Sequence, residues 1–311
     1  MERNRIQERD YSDVVRKEAL SQDHAQNLRS SAIRAADEIL QTGQIEGLLD
    51  LISRLHYYDI YNLLLIYQQF PRATCLAGYR YWKTLYAESD ISKLIKPEWK
   101  GKGIDLVAPF YDPDNSMFVW SPVKQYDILQ TQVSIDLVAP SIYIQDAGHL
   151  RVLLESLVSV TATEYHRSVI RVASSSTLSR AGLPGEMTDV TIMLRDDVKP
   201  ALQINFLTEC LCQLASSPIP GIADMHLILA QQYMVRCLLK IWGLTPIRAL
   251  QKSPGLLGRI PTDKQIAYLD QIRKVVRALD LSVSAAYRFY REGEHKTNDQ
   301  DINSEVYGNG Y

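Results

Sequence analysis

A segment in the C-terminal half has the pattern of a zinc-binding helix without the usual ligands. Residues 201–216 are largely apolar around the polar centre Thr208-Glu209-Cys210-Leu211-Cys212. In the zinc-peptidase pattern His-Glu-x-x-His, two imidazoles four residues apart bind the metal, and the Glu between them activates a water. Here Glu209 is present, but Thr208 and Cys212 occupy the ligand positions. We therefore predict a peptidase-like helix with no catalytic residue, no metal and no cofactor.

A remodelled metal site is the alternative, and with it a zinc metallopeptidase with non-standard ligands. It would use Cys212 and His226, with Cys210 or Cys237 as a further ligand. Cys210 and Cys212 lie about 200° apart around a helix axis, so both cannot bind one ion. Free cysteine is also a common small buried residue. The sequence therefore favours a core role for these thiols.

Cations and aromatic rings are interspersed in the N-terminal half. Between Phe70 and Gly103, seven basic residues stand against three acidic ones, a local charge of +4 in a chain whose formal net charge is −2. Cations that follow phosphates and rings that stack on bases are what a groove for single-stranded nucleic acid requires. The segment is therefore a candidate for binding single strands.

Two other interpretations of the same segment stay open. In the first, half of the rings belong to the core, Tyr61 and Trp82 before the others, and the lysines lie in a solvated loop. In the second, the chain is purely an interaction protein, and residues 72–102 bind an acidic protein partner.

Composition limits the class of protein. The chain has 311 residues, 46% hydrophobic and 23% charged, as in ordinary globular proteins of one or two domains. Its four unevenly spaced cysteines do not suggest a disulfide framework. The charged N-terminus is not a signal peptide, and no apolar run approaches the roughly 20 residues of a membrane helix. We expect a cytoplasmic protein with no membrane partner.

The secondary structure expected for the first half is helices followed by a small sheet. Apolar positions recur near period 3.6 from Gln26, which predicts helices at about 28–40, 45–55 and 58–69. Residues 104–108 and 117–121 have strand character and flank the turn Asp112-Pro113-Asp114-Asn115. Residues 74–79 are also β-like. We therefore predict an α+β module in which N-terminal helices pack on a small antiparallel sheet.

The second half is predicted to be a zincin-like α+β domain that lacks its metal ligands, over residues 141–291. Its expected elements are helices at 149–164, 201–216, 223–242 and from 262, and strands at 168–173 and 189–195. Residues 1–25 are polar and are predicted to be flexible. Residues 292–311 have no core-forming pattern and are predicted to form a disordered tail.

Three motifs in the first half resemble the N-terminal domain of ArdC-type antirestriction proteins. The first begins at Asn62-x-x-Leu65-Ile66 and continues through Gln69-x-Pro71-x-Ala73-Thr74 to Gly78-Tyr79 and Trp82. The second is Gly103-Ile104 followed by Ala108-Pro109. The third is Tyr126-Asp127-Ile128-x-Gln130-Thr131. Their order and spacing agree over roughly residues 30–132.

The resemblance implies a domain over residues 26–140 that binds single-stranded DNA and protects DNA entering a cell by conjugation, encoded on plasmids and other mobile elements. On this basis we expect the DNA contacts to come from six residues, with Tyr79 stacking on a base and the cations meeting phosphates: Arg72, Tyr79, Arg80, Lys83, Lys100 and Lys102. The family's C-terminal half is usually a zinc peptidase with an acidic ligand on the next helix. Gln231 or Gln232 stands at that position here, so we expect an inactive domain that serves as a scaffold or binds a protein partner.

Overall fold

The computed structural model describes residues 2–86, 90–112, 117–134, 142, 144, 146–173, 183–246 and 254–307. These residues form helices and two three-stranded sheets, so the predicted α+β class is confirmed. Backbone contacts group the chain into two units, of which the first comprises residues 1–139 with 252–270 and the second 140–251 with 271–311. The four-part domain organisation stays a prediction, because a domain is defined by its capacity to fold alone. No helix of the described residues is long and apolar enough to cross a membrane.

The first unit begins with three helices and continues into a small sheet. The order is α1 (Glu2–Thr42), α2 (Glu46–Leu55), α3 (Ile60–Gln69), β1 (Leu76–Ala77), α4 (Tyr79–Leu85), β2 (Ile104–Asp112) and β3 (Met117–Asp127). β3 lies in the centre and pairs antiparallel with both β1 and β2. This confirms the predicted hairpin, although part of its turn, residues 113–116, lies outside the described residues. The predicted strand at 74–79 shrinks to two residues, because Tyr79 already begins α4.

The buried face of α1, which we call the alanine seam, consists mainly of alanine. The buried positions follow the spacing of one helix face and include Ala25, Ala32, Ala36 and Ile39. Ile33, which the periodicity assigned to the core, is 40% exposed instead. Small side chains allow neighbouring elements to approach the helix closely, and α1 packs against both α3 and β3.

Two side-chain amides of α3 take the place of a strand beside β2. Asn62 Nδ2 donates to the carbonyl of Val107 at 2.7 Å, and its Oδ1 accepts from the Val107 amide at 2.9 Å. Gln69 repeats the arrangement at Asp105, with both bonds at 2.9 Å. Seven residues make about two helical turns, so both amides face β2, while 105 and 107 present their backbone groups at the same edge of that strand. α3 is thereby fixed in register along the sheet.

A small core around Trp82 joins the short elements between the helices and the hairpin. Trp82 is buried with Leu94, Ile95, Ile128 and Val133. Its indole Nε1 donates to the Tyr126 carbonyl at 2.7 Å. The expectation that Trp82 belongs to the core is therefore confirmed, whereas Tyr61 is only half-buried.

The second unit contains a mixed sheet and several helices, including most of the last helix of the chain. Its elements are α5 (Ala147–Tyr165), β4 (Ser168–Val172), β5 (Gly185–Met187), β6 (Thr191–Arg195), α6 (Pro200–Ala215) and α7 (Asp224–Ile241). β6 pairs parallel with β4 and antiparallel with β5. β5 is absent from the sequence prediction, because three residues are too few to give a period.

The two ends of the chain have helical backbone. α1 begins at Glu2, and the last helix, α9 (Thr262–Tyr307), follows the short α8 (Pro254–Leu257). Helical geometry does not by itself measure motion, so the flexibility predicted for residues 1–25 and 292–311 stays a prediction. Residue 1 and residues 308–311 lie outside the described residues.

The side-chain amides of Asn62 and Gln69, which we call the two amide clamps of α3, should contribute unequally to the free energy of unfolding. Asn62→Ala would leave buried backbone groups of Val107 without partners, and each such group costs about 1–3 kcal/mol. Gln69→Ala removes the same pair of bonds at an exposed site, where water replaces them, so we expect a loss below about 1 kcal/mol. Denaturant unfolding of the full chain, with hydrogen exchange at the Val107 amide, measures both. Equal losses would contradict the proposed role of the buried clamp.

Candidate nucleic-acid interface

A buried carboxylate positions the segment that leads into α4. Asp127 Oδ2 accepts from the amides of Thr74 and Cys75 at 2.6 and 2.9 Å, and its Oδ1 accepts from the Leu129 amide at 2.9 Å. The side chain is fully buried. Burial raises the pKa of the Asp127 carboxyl, and the three amide donors oppose that rise. One residue thus links the end of β3 to the chain entering β1.

The turn after Asp127 holds the segment around Lys96. The Asp127 amide donates to Gln130 Oε1 at 2.8 Å, which completes a capping box. The amide of Lys96 then donates to the Gln130 carbonyl at 3.0 Å. The ammonium of Lys96 donates to the Leu129 carbonyl at 2.8 Å. Lys96 therefore has a structural role here, although it belongs to the basic residues of the region.

The residues from Trp99 to Gly103 form a tight basic turn. Trp99 meets Phe70 edge-to-face, with ring centroids 5.3 Å apart. Gly101 has φ +75°, a backbone conformation that residues with a side chain rarely adopt. A Cβ on Gly103 would lie 2.5 Å from Cγ of Lys124, so the stem of Lys124 packs directly on the turn. We call residues 99–103 the basic turn.

All six residues predicted to contact DNA are exposed. On α4, Trp82 faces the core, so Arg80 and Lys83 project from the opposite side of that helix. No carboxylate of the described residues forms an ion pair with Arg72, Arg80, Lys83 or Lys102. Lys100 lies close enough to Asp90 to help lower the pKa of that carboxyl, after the larger effect of hydrogen bonds from Ser92.

The elements that carry these residues meet at the Trp82 core. α4 provides Trp82 and Leu85 to this core, and the basic turn provides Trp99. Arg72 lies two residues beyond Phe70, the ring that contacts Trp99. The structure thus brings the backbones of α4, the basic turn and the Phe70–Arg72 turn to one small core. A single groove shared by all six side chains stays a prediction.

One arrangement of a cation and two rings was missed by sequence reasoning. The guanidinium of Arg29 lies 4.7 Å from the ring centroid of Tyr61 and 5.1 Å from that of Trp120. The three residues come from α1, α3 and β3, so no local spacing relates them. The sequence contained one signal. Positions 25, 29, 32 and 36 are spaced as one face of a helix, and position 29 is an arginine whereas the other three are alanine.

The motif residues that carry the family resemblance have structural roles. Asn62 and Gln69 hold β2, Asp127 holds the Thr74–Cys75 backbone, and Trp82 fills the small core. The positions that sequence reasoning assigned to DNA lie between these residues and point to solvent. A sequence motif of this kind therefore identifies the scaffold more directly than the binding surface.

In the second unit, helix α6 buries Thr208 and Cys212, the two positions that sequence analysis compared with zinc ligands. Thr208 is fully buried and its hydroxyl donates to the Ile204 carbonyl at 2.7 Å. Glu209 accepts from Asn205 Nδ2 at 2.7 Å. Burial raises the pKa of the Cys212 thiol well above its usual value, and that of Cys210 to about 12. Both thiols are therefore protonated near neutral pH, whereas zinc binds the thiolate.

The other candidate ligands are dispersed along α7. His226 and Cys237 are buried, Gln231 is half-buried, and Gln232 is exposed. Among the residues that the structure describes, no three His, Cys, Asp or Glu side chains gather in a group that could hold a metal ion. The alternative site at Cys212 and His226 therefore gains no support from this geometry.

Comparisons with known proteins give a likeness in fold to antirestriction proteins. No protein-family model and no curated protein matches the chain. Among solved structures, it is similar to two crystal structures of the antirestriction protein ArdC from plasmid R388. For the metal-free structure the identity is 11% and the TM-score 0.40, over 73% of this chain and 86% of that one. For the Mn(II)-bound structure the values are 10% and 0.42, over 84% and 97%. At such TM-scores no residue role is transferred.

The exposure of the four thiols predicts how they react. Cys75 is half-buried and the other three cysteines are buried. We expect a disulfide reagent to modify one thiol per native chain and all four in denaturant. Because burial, together with the nearby Asp127 carboxylate, raises the pKa of the Cys75 thiol, its reaction should accelerate steadily as the pH rises from 7 to 9. Cys75→Ser should abolish this phase. A fast native phase that survives Cys75→Ser and disappears with Cys212→Ala would contradict the protonated, buried state of Cys212.

Proposed function

We propose that the protein binds single-stranded DNA through the exposed face of α4 and the basic turn, and that it acts in antirestriction for a plasmid or another conjugative element. The observation that carries the proposal is the arrangement around the Trp82 core. α4 and the basic turn both contribute to this core, and their residues Arg80, Lys83 and Lys102 are exposed and form no ion pair with a described carboxylate. The neighbouring Lys96 is instead bound to the backbone.

The cations and rings of this surface suit a single-stranded nucleic acid, which carries both phosphates and unpaired bases. Arg72, Arg80, Lys83, Lys100 and Lys102 would neutralise phosphates. Tyr79, which is 42% exposed, would stack on a base. Stacking needs an unpaired base and does not depend on its identity, so the surface favours single strands with little sequence preference. The family motifs support the same substrate, and ArdC of plasmid R388 is an antirestriction protein by name.

The second unit would act as an inactive peptidase-like scaffold or bind a protein partner. Its helix α6 keeps Glu209, but Thr208 and Cys212 are buried and bear a hydroxyl and a protonated thiol. A glutamate without a metal has no activated water to work on. This part of the proposal excludes peptidase activity and requires no cofactor. Metal analysis of the purified full chain tests it, because about one zinc per chain that is lost with Cys212→Ala would restore the peptidase alternative.

Removal of two cations from α4 should weaken DNA binding in a salt-dependent way. For Arg80→Ala/Lys83→Ala we expect the affinity for oligo(dT) to fall roughly tenfold at low salt. Each lost phosphate contact also lowers the slope of log K against log salt by about 0.7. A titration by fluorescence anisotropy at several salt concentrations measures both quantities.

The matched control for this experiment is Lys199→Ala/Lys240→Ala, which changes the net charge by the same amount in the second unit. Both lysines are exposed. The control should keep the affinity and the salt slope of the unmodified chain. Equal effects of the two double variants, or none for Arg80→Ala/Lys83→Ala, would overturn the assignment of α4.

Replacement of Tyr79 should separate stacking from charge. Tyr79→Ala should cost about 1–3 kcal/mol of binding free energy and leave the salt slope unchanged, because a ring releases no counterions. Tyr79→Phe keeps the ring and should bind within about twofold of the unmodified chain. The same titrations measure both variants. If Tyr79→Phe binds as weakly as Tyr79→Ala, the hydroxyl matters rather than the stacking surface.

A further inference from the structure

We propose that Trp120 and Phe118 form a second base-stacking platform, which Arg29 and Tyr61 orient and which β3 connects to the basic turn. This inference rests on the proposed function and extends it, because it lengthens the path of the DNA strand across the first unit. We call the four residues the aromatic platform.

The cation of the platform occupies an unusual position. Arg29 lies in the alanine seam of α1, where Ala25, Ala32 and Ala36 are almost fully buried. A small apolar residue would fit such a seam. The guanidinium instead lies between Tyr61 and Trp120, at 4.7 and 5.1 Å from their ring centroids. A guanidinium over the face of a ring is attracted to it, so this contact favours one orientation of the Trp120 indole.

The rings of the platform keep large exposed surfaces. Trp120 is 40% exposed although Arg29 packs on its ring, and Phe118 is 69% exposed. Both belong to β3 and are two residues apart, so they project from the same face of the strand. Two exposed aromatic rings in adjacent positions on one strand face are an arrangement on which successive bases can stack.

β3 leads from these rings to the basic turn. Lys124 lies on the same strand face, six residues from Phe118, a distance of about 20 Å at the usual rise of a strand. Its stem packs on Gly103 and its Nζ lies 3.5 Å from the Gly101 carbonyl. The strand therefore connects the exposed rings at one end to Lys100 and Lys102 at the other.

The combination of groups decides which partner fits. A hydrophobic peptide would use the rings but gain nothing from the cations of the basic turn. A single-stranded nucleic acid uses both, because its phosphates meet the lysines of the basic turn while its bases reach the rings. The length of the path also means that a short oligonucleotide bound at α4 and the basic turn need not reach the platform.

Oligonucleotide length provides the test. With oligo(dT) of about 4 and about 15 nucleotides, we expect Phe118→Ala and Trp120→Ala to weaken binding of the longer strand roughly tenfold and binding of the shorter strand by less than twofold. Phe289→Ala, which removes a ring of the second unit that is 73% exposed, is the matched control and should change neither affinity. Trp120→Phe retains a stacking ring and keeps the variant series interpretable if Trp120→Ala does not fold.

Intrinsic fluorescence gives a second and independent measurement. Stacking of a base on Trp120 should quench the emission of the full chain with the longer oligonucleotide, and Trp120→Phe should remove that part of the quenching. For Arg29, which positions Trp120, we expect Arg29→Gln to shift the emission of the free protein and reduce the quenching.

The outcomes separate the two proposals. If the unmodified chain binds both oligonucleotides and the platform variants bind both with unchanged affinity, the platform is overturned and the proposed function stands. If the unmodified chain binds neither strand, both fail. If the platform variants keep their DNA affinity but change the oligomeric state of the chain, the rings form a protein interface and the platform is overturned.

Discussion

The first unit depends on polar side chains that satisfy backbone groups which its short strands leave unpaired. A sheet with a two-residue strand on one side cannot complete its own hydrogen bonding, and buried unpaired amides and carbonyls are costly. Asn62 and Gln69 meet this requirement along β2, and Asp127 meets it at the entrance to β1. These three side chains fix α3, the sheet and the small core together, and therefore the surface on which Arg80 and Lys83 are displayed.

In the second unit, helix α6 buries the two positions at which the zinc-peptidase pattern would place its histidines. Thr208 and Cys212 lie four residues apart on one face of α6, as two metal ligands would, but that face is packed into the interior. The Thr208 hydroxyl is bonded to the preceding turn, and burial raises the pKa of the Cys212 thiol. Glu209 is half-buried and accepts a hydrogen bond from Asn205 Nδ2. Under the proposed function, the second unit would act through the shape of its surface, as a scaffold or in binding a protein partner.

The sequence predicted elements with strong local patterns and missed those that depend on distant contacts. The helices before residue 70 and the hairpin follow from apolar spacing and turn residues, and the structure confirms them. β5 and the early start of α4 were not predictable, because three or four residues give no period. The six candidate DNA residues are exposed, and their role in DNA binding stays a prediction. The contact of Arg29 with Trp120 was invisible, since 91 positions separate the two residues and only the fold brings them together.

The two amide clamps of α3 also determine how the sheet can meet other polypeptides. The backbone groups of Asp105 and Val107 at the outer side of β2 are already bonded to Gln69 and Asn62. An incoming extended chain would find its donors and acceptors occupied there, and β1 is too short to serve as a template on the opposite side. At these two positions, β2 is thereby protected against strand addition and the intermolecular sheet growth that exposed edges promote.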